Sequence, residues 1–375
     1  HGAPLPKDAP IPLYEPPHFQ DVHNAEHSVA IIGAGPAGLF AALTLIEHGI
    51  RPIIYERGKE IAERKKDIAS LNRNLGLNAE SNYCFGEGGA GTFSDGKLNT
   101  LIKDKDGRNR EVLQIFTEHG APEKILYDAK PHIGTDVLTK VVRGMREEII
   151  KNGGEVHFDT KMQNLIFDEN RILGIKVLKN NKELSEIPCE NLVLALGHSA
   201  RDTFYELYEQ NIPMEAKAFA VGLRMEHPQR MINEAMYGCK DAAILGAAPY
   251  KVTAKASNGR GVYSFCMCPG GYVVNASSEE GRLVVNGMSY SDRGSENANS
   301  AIIVTVTPDD FGTQHPLAGI VFQRELEEKA YKAANGKIPV QRYGDFKETI
   351  SGKKCTEDVL ICEPKIDPCT KGDYF

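Results

Sequence analysis

The sequence has no Cys-x-x-Cys pair among its eight cysteines, no excess of positive charge, no secretory leader and no internal repeat. Each absence closes off a class. Without paired cysteines at metal-ligand spacing, no metal site is expected. A formal charge of −7 leaves no electrostatic footprint for nucleic acid or for an anionic membrane, so neither is expected as a partner. Eight cysteines in 375 residues, without a leader, do not make a disulfide scaffold, and a reducing, cytoplasmic setting is expected. Tryptophan is absent too, which excludes nothing. The length suits about two domains.

Ser28–Ile46 runs without charge for close to the length of a membrane span. Its glycines and Pro36 argue for a buried strand, a turn and a buried helix instead. Both ends of the chain read as cut. It opens on His1-Gly2 rather than Met, followed by prolines at 4, 6, 10, 12, 16 and 17 that suggest an extended linker over 1–27. It ends at Lys371–Phe375 without a helix stop.

Ser28–Ile32 is a short apolar run, followed by Gly33-Ala34-Gly35-Pro36-Ala37-Gly38, an amphipathic stretch, a second apolar run at Ile53–Tyr55, and Glu56. Each part suits a dinucleotide. Gly33 permits a tight turn, Gly35 lets a pyrophosphate approach the backbone, and Gly38 lets helix pack on strand. The free amides at the helix start, around Pro36 and Ala37, face the phosphates. Glu56 is expected to accept hydrogen bonds from the adenosine ribose. Arg57 lies beside the adenosine or in solvent.

Further along, helices are expected at 37–48, 59–71, 111–118 and 136–151. The last has apolar residues at three- and four-residue steps. Three short strands follow at 156–158, 165–168 and 172–178, then a buried strand at 192–196. A meander inserted before the last parallel strand is the arrangement of glutathione-reductase-type FAD-binding domains. From Arg201 the texture changes to short strands at 219–225, 250–254, 261–268, 272–276, 283–286 and 302–306, with a helix at 323–334. The expected architecture is therefore α/β. A Rossmann-like FAD-binding domain spans 28–200, an inserted antiparallel α+β substrate domain spans 201–345, and an incomplete return segment spans 346–375.

The segments Ile31–Phe40, Asn82–Leu98, Pro131–Thr135, Ala195–Asp202 and Ser264–Gly271 together resemble the uncharacterised bacterial FAD-dependent dehydrogenases, over about 28–346. That family has a further domain ahead of the linker and a glycine-rich flavin-covering segment near its C-terminus, and neither is recognisable here. The resemblance implies FAD as cofactor. It also implies flavin or substrate contact by the loop 86–97, where Gly88 and Gly89 permit close approach and Ser94 and Lys97 add a hydroxyl and a cation.

Met162 is expected near the adenine or in the core. Gly197 and His198 stand at the carboxyl edge of the last parallel strand, where ligands bind, with Arg201 within reach. In the second domain Arg224 is expected to hold a carboxylate, with His227 as acid or base. Cys84 is a candidate thiolate. Cys266 and Cys268, two apart on a strand, are a candidate redox pair or buried thiols. Cys355, Cys362 and Cys369 are spaced by seven.

The expected activity is hydride transfer between FAD and a small molecule, with His198 or His227 moving a proton. No second glycine fingerprint follows a strand, so NAD(P)H is expected to dock only transiently. A flavoprotein of RNA modification and a non-enzymatic nucleotide sensor are the alternatives. The substrate and the oligomeric state are not encoded legibly.

Overall fold

The computed structural model describes residues 16–352, apart from 99, 101–102, 106, 170 and 239–242, together with 360–362. The prolines at 4, 6, 10 and 12, the terminal residues Lys371–Phe375, Cys355 and Cys369, and the side chain of Cys362 lie outside the described residues.

In chain order the first half contains β1 (Ser28–Ile32), α1 (Pro36–Glu47), β2 (Arg51–Tyr55), α2 (Ile61–Asn72), α3 (Arg108–Glu118), α4 (Thr135–Lys151), β3 (Glu155–His157), β4 (Thr160–Asp168), β5 (Arg171–Lys179), β6 (Glu183–Pro188), β7 (Leu192–Leu194) and α5 (Arg201–Glu209). Four of these strands form a parallel sheet in the order β3-β2-β1-β7. Side chains alternate across a strand, and β1 shows it. Ile31 faces a core shared with Leu39, Leu43 and Ile46 of α1 and Val141, Met145 and Ile149 of α4. Ala30 and Ile32 face a second core with Met162, Ile175, Val177 and Leu207, from the meander β4-β5-β6 and α5. The charge-free run 28–46 is thus a strand, a turn and a helix, and no helix among the described residues is long and apolar enough to cross a membrane.

The expected meander is present in another composition. The strand at Val156 pairs with β2 in the parallel sheet, and the third meander strand is β6, which lacks an apolar run. The last parallel strand stops at Leu194 and is only half-buried, with Leu194 itself 42% exposed, because it borders a cavity.

The second half contains β8 (Phe219–Pro228), α6 (Gln229–Tyr237), β9 (Thr253–Lys255), β10 (Gly261–Cys268), β11 (Tyr272–Asn275), β12 (Val285–Met288), β13 (Asn297–Val306), α7 (Ala318–Ala333), β14 (Ile338–Val340), α8 (Tyr343–Ile350) and β15 (Leu360–Cys362). The expected single antiparallel sheet is divided, among the described residues, into a four-stranded sheet β8-β13-β10-β9 and two two-stranded sheets, β11-β12 and β14-β15. Several contacts join the halves, three of them as follows. A cluster packs Ile68, Leu71, Tyr83 and Phe93 on Val274 and Met288. Arg201 pairs with Glu279 and Glu327. Asp136 accepts hydrogen bonds from Ser291.

Candidate functional site

The turn between β1 and α1 is built by exclusion of side chains. Gly33 has φ +107°, in the left-handed region, and a Cβ there would strike the carbonyl of Ala195. A Cβ on Gly38 would strike the carbonyl of Gly33. Gly35 differs: its φ of −73° suits any residue, and a Cβ would meet only Gly89 Cα at 3.8 Å. Space is therefore kept open in front of Gly35, while Gly33 and Gly38 serve packing. Pro36 has no amide hydrogen, and Leu39 N–H bonds Gly35 C=O at 3.0 Å. The amides of Ala37 and Gly38 are left without acceptors inside the helix, at its positive end.

A cavity of about 440 Å³ opens there. Gly33, Gly35, Pro36 and Ala37 line one end; Glu56, Arg57, Lys161 and Met162 border it, as do Gly89, Gly197 and His198. Ala34 and Gly38 lie behind the lining. Ala34 N–H donates to Glu56 Oε2 at 2.8 Å. Met162 is a core residue, 2% exposed, that also borders the cavity.

Glu56 borders the cavity, and its carboxylate also has partners within the protein. It is buried, and its carboxylate accepts the amides of Ala34, Gly58 and Gly86 at 2.8–2.9 Å. Three of roughly four lone-pair sites are thereby taken by backbone, so Glu56 fastens three loops and keeps little capacity for a ribose.

Nor is Arg57 solvated. Its guanidinium lies over the Phe85 ring at 4.0 Å, pairs with Glu80 at 2.6 Å, and meets Asp202 with two 2.9 Å hydrogen bonds. Lys161 Nζ bridges the same two carboxylates at 2.9 Å each. Burial works to raise the pKa of Asp202, but Arg57 and Lys161 outweigh it and hold the carboxyl well below the usual range. A folded-state pKa below the unfolded value gives stability that is present above about pH 4 and lost as pH falls further. Asp202→Asn is therefore expected to lower the melting temperature at neutral pH, with the gap to wild type closing below about pH 3. A gap independent of pH in parallel thermal melts would remove the electrostatic account.

The loop 81–98 is organised by a residue that sequence reading passed over. Arg64, on α2, is fully buried and donates to the carbonyls of Asn82 (2.8 Å), Glu87 (2.7 Å), Tyr83 (3.1 Å) and Gly89 (2.9 Å), beside the Phe93 ring. Burial lowers its pKa to about 10, with Glu56 and Glu87 opposing, so it stays charged at neutral pH. Buried Glu87 accepts the Ile61 amide at 2.8 Å and Arg146 Nε at 2.7 Å. The signal for Arg64 was in the sequence: Ile61, Arg64, Ile68 and Leu71 form one helical stripe, and all are buried.

Several expected contacts are not made. Gly88 is enclosed, with its amide on Ala34 C=O at 2.8 Å, and does not line the cavity. Ser94 Oγ turns back to Gly91 C=O at 2.7 Å. Lys97 Nζ pairs with buried Asp95 at 3.1 Å, away from the cavity lining. Arg201 is committed to α7 through Glu327. Burial raises the pKa of Cys84 despite nearby Ser199 and Arg64, so it is a thiol, not a thiolate.

Arg224 and His227 do not form one site. Three apart on a strand without a bulge, they point to opposite faces. Arg224 meets Asn299, Asn286 at 3.2 Å and the carbonyl of Cys266 at 3.4 Å, whereas buried His227 meets Tyr250 at 2.9 Å. His198 lines the cavity; desolvation by burial and then Arg201 lower its pKa, so it is neutral at pH 7.

Residues 26–204 match the family described as FAD binding domain, and residues 218–371 match the C-terminal domain of FAD-dependent proteins. An uncharacterised protein of Clostridium beijerinckii (strain ATCC 51743 / NCIMB 8052) is 51% identical over 328 residues, 86% of this chain and 60% of that protein. The NADH:fumarate oxidoreductase of Klebsiella pneumoniae (strain 342) is 23% identical over 203 residues, 47% of this chain and 21% of that protein. The chain thus spans 60% and 21% of the lengths of these two curated relatives. A flavoprotein/dehydrogenase from Cytophaga hutchinsonii has a TM-score of 0.38 at 12% identity, covering 89% of this chain and 65% of that one, a likeness too loose to bear on the fold. With the FAD-binding domain in its first half and the matching C-terminal domain in its second, the chain belongs to the FAD-dependent proteins.

Proposed function

We propose that this chain is the cofactor-holding core of a flavin-dependent oxidoreductase that moves a hydride between FAD and a small molecule. The observation that carries the reading is the space in front of Gly35, kept clear of side chains at the positive end of α1. The amides of Ala37 and Gly38 suit the diphosphate. The floor between Tyr55, Lys161 and Met162 suits the adenosine, and Gly197, with nothing within 4 Å of a Cβ position, leaves room where the sheet ends. When bound, FAD supplies the redox chemistry; the protein positions it and excludes water. His198, neutral and in the cavity, is placed to accept a proton. We assign 28–200 to cofactor binding and 201–345 to the substrate.

Protein purified from cells is expected to be yellow and to release FAD on denaturation. Anaerobic addition of NADH or NADPH is expected to bleach the visible flavin bands of the full-length protein. Bleaching by neither would remove the nicotinamide part of the proposal. A colourless full-length protein that ignores added FAD would remove the whole of it.

A further inference from the structure

Away from the nucleotide cavity, Cys266 and Cys268 lie where β10 is irregular. The pairing of β10 with β13 skips between Phe265 and Cys268, and Cys266 takes φ +47°, rare for a residue with a side chain. Two apart on a regular strand, the cysteines would share one face; the bulge breaks that regularity between them. At the bulge Cys268 Sγ lies 3.3 Å from the Cys266 carbonyl and donates a hydrogen bond to it. Cys268 is fully buried, while Cys266 is partly open to solvent. Both are free.

The surroundings are cationic. Lys97 and Asp95 act on both thiols from the glycine loop, and Arg224 acts on Cys266 from β8. Among the described residues, Arg224 donates to two asparagines and a carbonyl, none charged. Asp95 is shared between Lys97 at 3.1 Å and Arg293 at 3.2 Å, and burial keeps the nearby His132 neutral. At Cys266, Lys97 and Arg224 thus stand against the carboxylate of Asp95. Asn299 is fully buried, and its Nδ2 has no hydrogen-bond partner.

We propose that Cys266 and Cys268 are a dithiol exchange site for small anionic disulfides, with Cys266 as the attacking sulfur and Cys268 as the resolving one. The cations would favour an anionic partner, and only Cys266 is reachable from solvent. Cys266 thiolate attacks one sulfur of R′S–SR′, forming Cys266–S–S–R′ and releasing R′S⁻. The Cys268 proton passes to that R′S⁻. Cys268 sulfur then attacks Cys266 Sγ, closing the intramolecular disulfide and releasing the second R′S⁻. The dithiol loses two electrons and the disulfide gains them. The adjacent Cys268 side chain supports this assignment by lowering the pKa of Cys266, with burial opposing and Lys97 and Arg224 assisting. The site needs no flavin, so it stands or falls separately from the proposed function.

The full chain is treated with glutathione disulfide at about pH 6.5 and digested with trypsin, since the peptide 261–282 carries both cysteines and no others. The expected product is a mass loss of about 2 Da on that peptide, reversed by dithiothreitol, with a rate at least about threefold higher than for cationic cystamine at low salt. Iodoacetamide is expected to label Cys266 with a midpoint below about pH 7, and Cys268→Ala to move that midpoint upward by a unit or more. The variant is read by labelling alone, so a loss of stability does not mimic the shift. A persistent mixed disulfide, no reaction, no preference for the anion, or a wild-type midpoint near pH 8.5 would each overturn the proposal.

Discussion

Gly35→Val is expected to yield a folded protein that has lost FAD. The backbone there is extended, and a Cβ would touch only Gly89 Cα at 3.8 Å, so valine meets no torsional strain and little crowding. Its methyls would instead occupy the space where the diphosphate approaches the Ala37 and Gly38 amides. Hydrogen bonds to a charged group are worth about 1.5–3 kcal/mol each, so loss of two predicts affinity reduced at least about 100-fold. Gly38→Val is the contrast. Its side chain would overlap the Gly33 carbonyl, and the turn itself would open. Flavin content after purification, FAD titration of the stripped protein and a thermal melt separate the two cases. If Gly35→Val retained FAD at wild-type affinity, the cradle would be misassigned.

Arg64→Met is expected to cost more stability than any surface change in the chain. The arginine holds four carbonyls with one rigid fork, and three of those carbonyls belong to buried residues. Methionine fills much of the volume and satisfies none of them. Removing one partner of a buried charged network costs about 3–5 kcal/mol, which for a chain of this size means a fall in melting temperature of roughly 5 °C. Arg64→Lys should recover little, because an ammonium cannot span the same carbonyls. Hydrogen exchange should show lost protection over 82–91, and FAD affinity should fall with it, since Gly89 lies against Gly35. A melting temperature within about 1 °C of wild type would show that water can replace the fork.

The turn at Gly33–Gly38 was legible because its strand, glycines and helix leave a local pattern. So were α4, with its apolar stripe, and β10, whose limits match expectation. Tertiary partners were less legible. Nothing within Glu155–His157 states whether that strand joins β2 or β4, and β6 alternates exposed with half-exposed residues, leaving no apolar signal. In the site, Glu56 was found from its position, but its burial against three amides depends on Gly58 and Gly86 arriving from elsewhere. Arg64 sits in a run of charge, Glu63–Lys66, that reads as a solvated face until the helical stripe is drawn. Ser94 and Lys97 lie in a loop without period, where sequence gives no side-chain direction.

The three amides on Glu56 bear on attempts to retune the protein for another nucleotide. Changing the acid at the end of the second strand is the usual first move in such redesign, because that position often reads the ribose. Here the exchange would release the segments holding Ala34, Gly58 and Gly86 before any preference could change. Selectivity in this scaffold is more safely altered from Lys161 and its neighbours, where side chains border the cavity without fastening the turn.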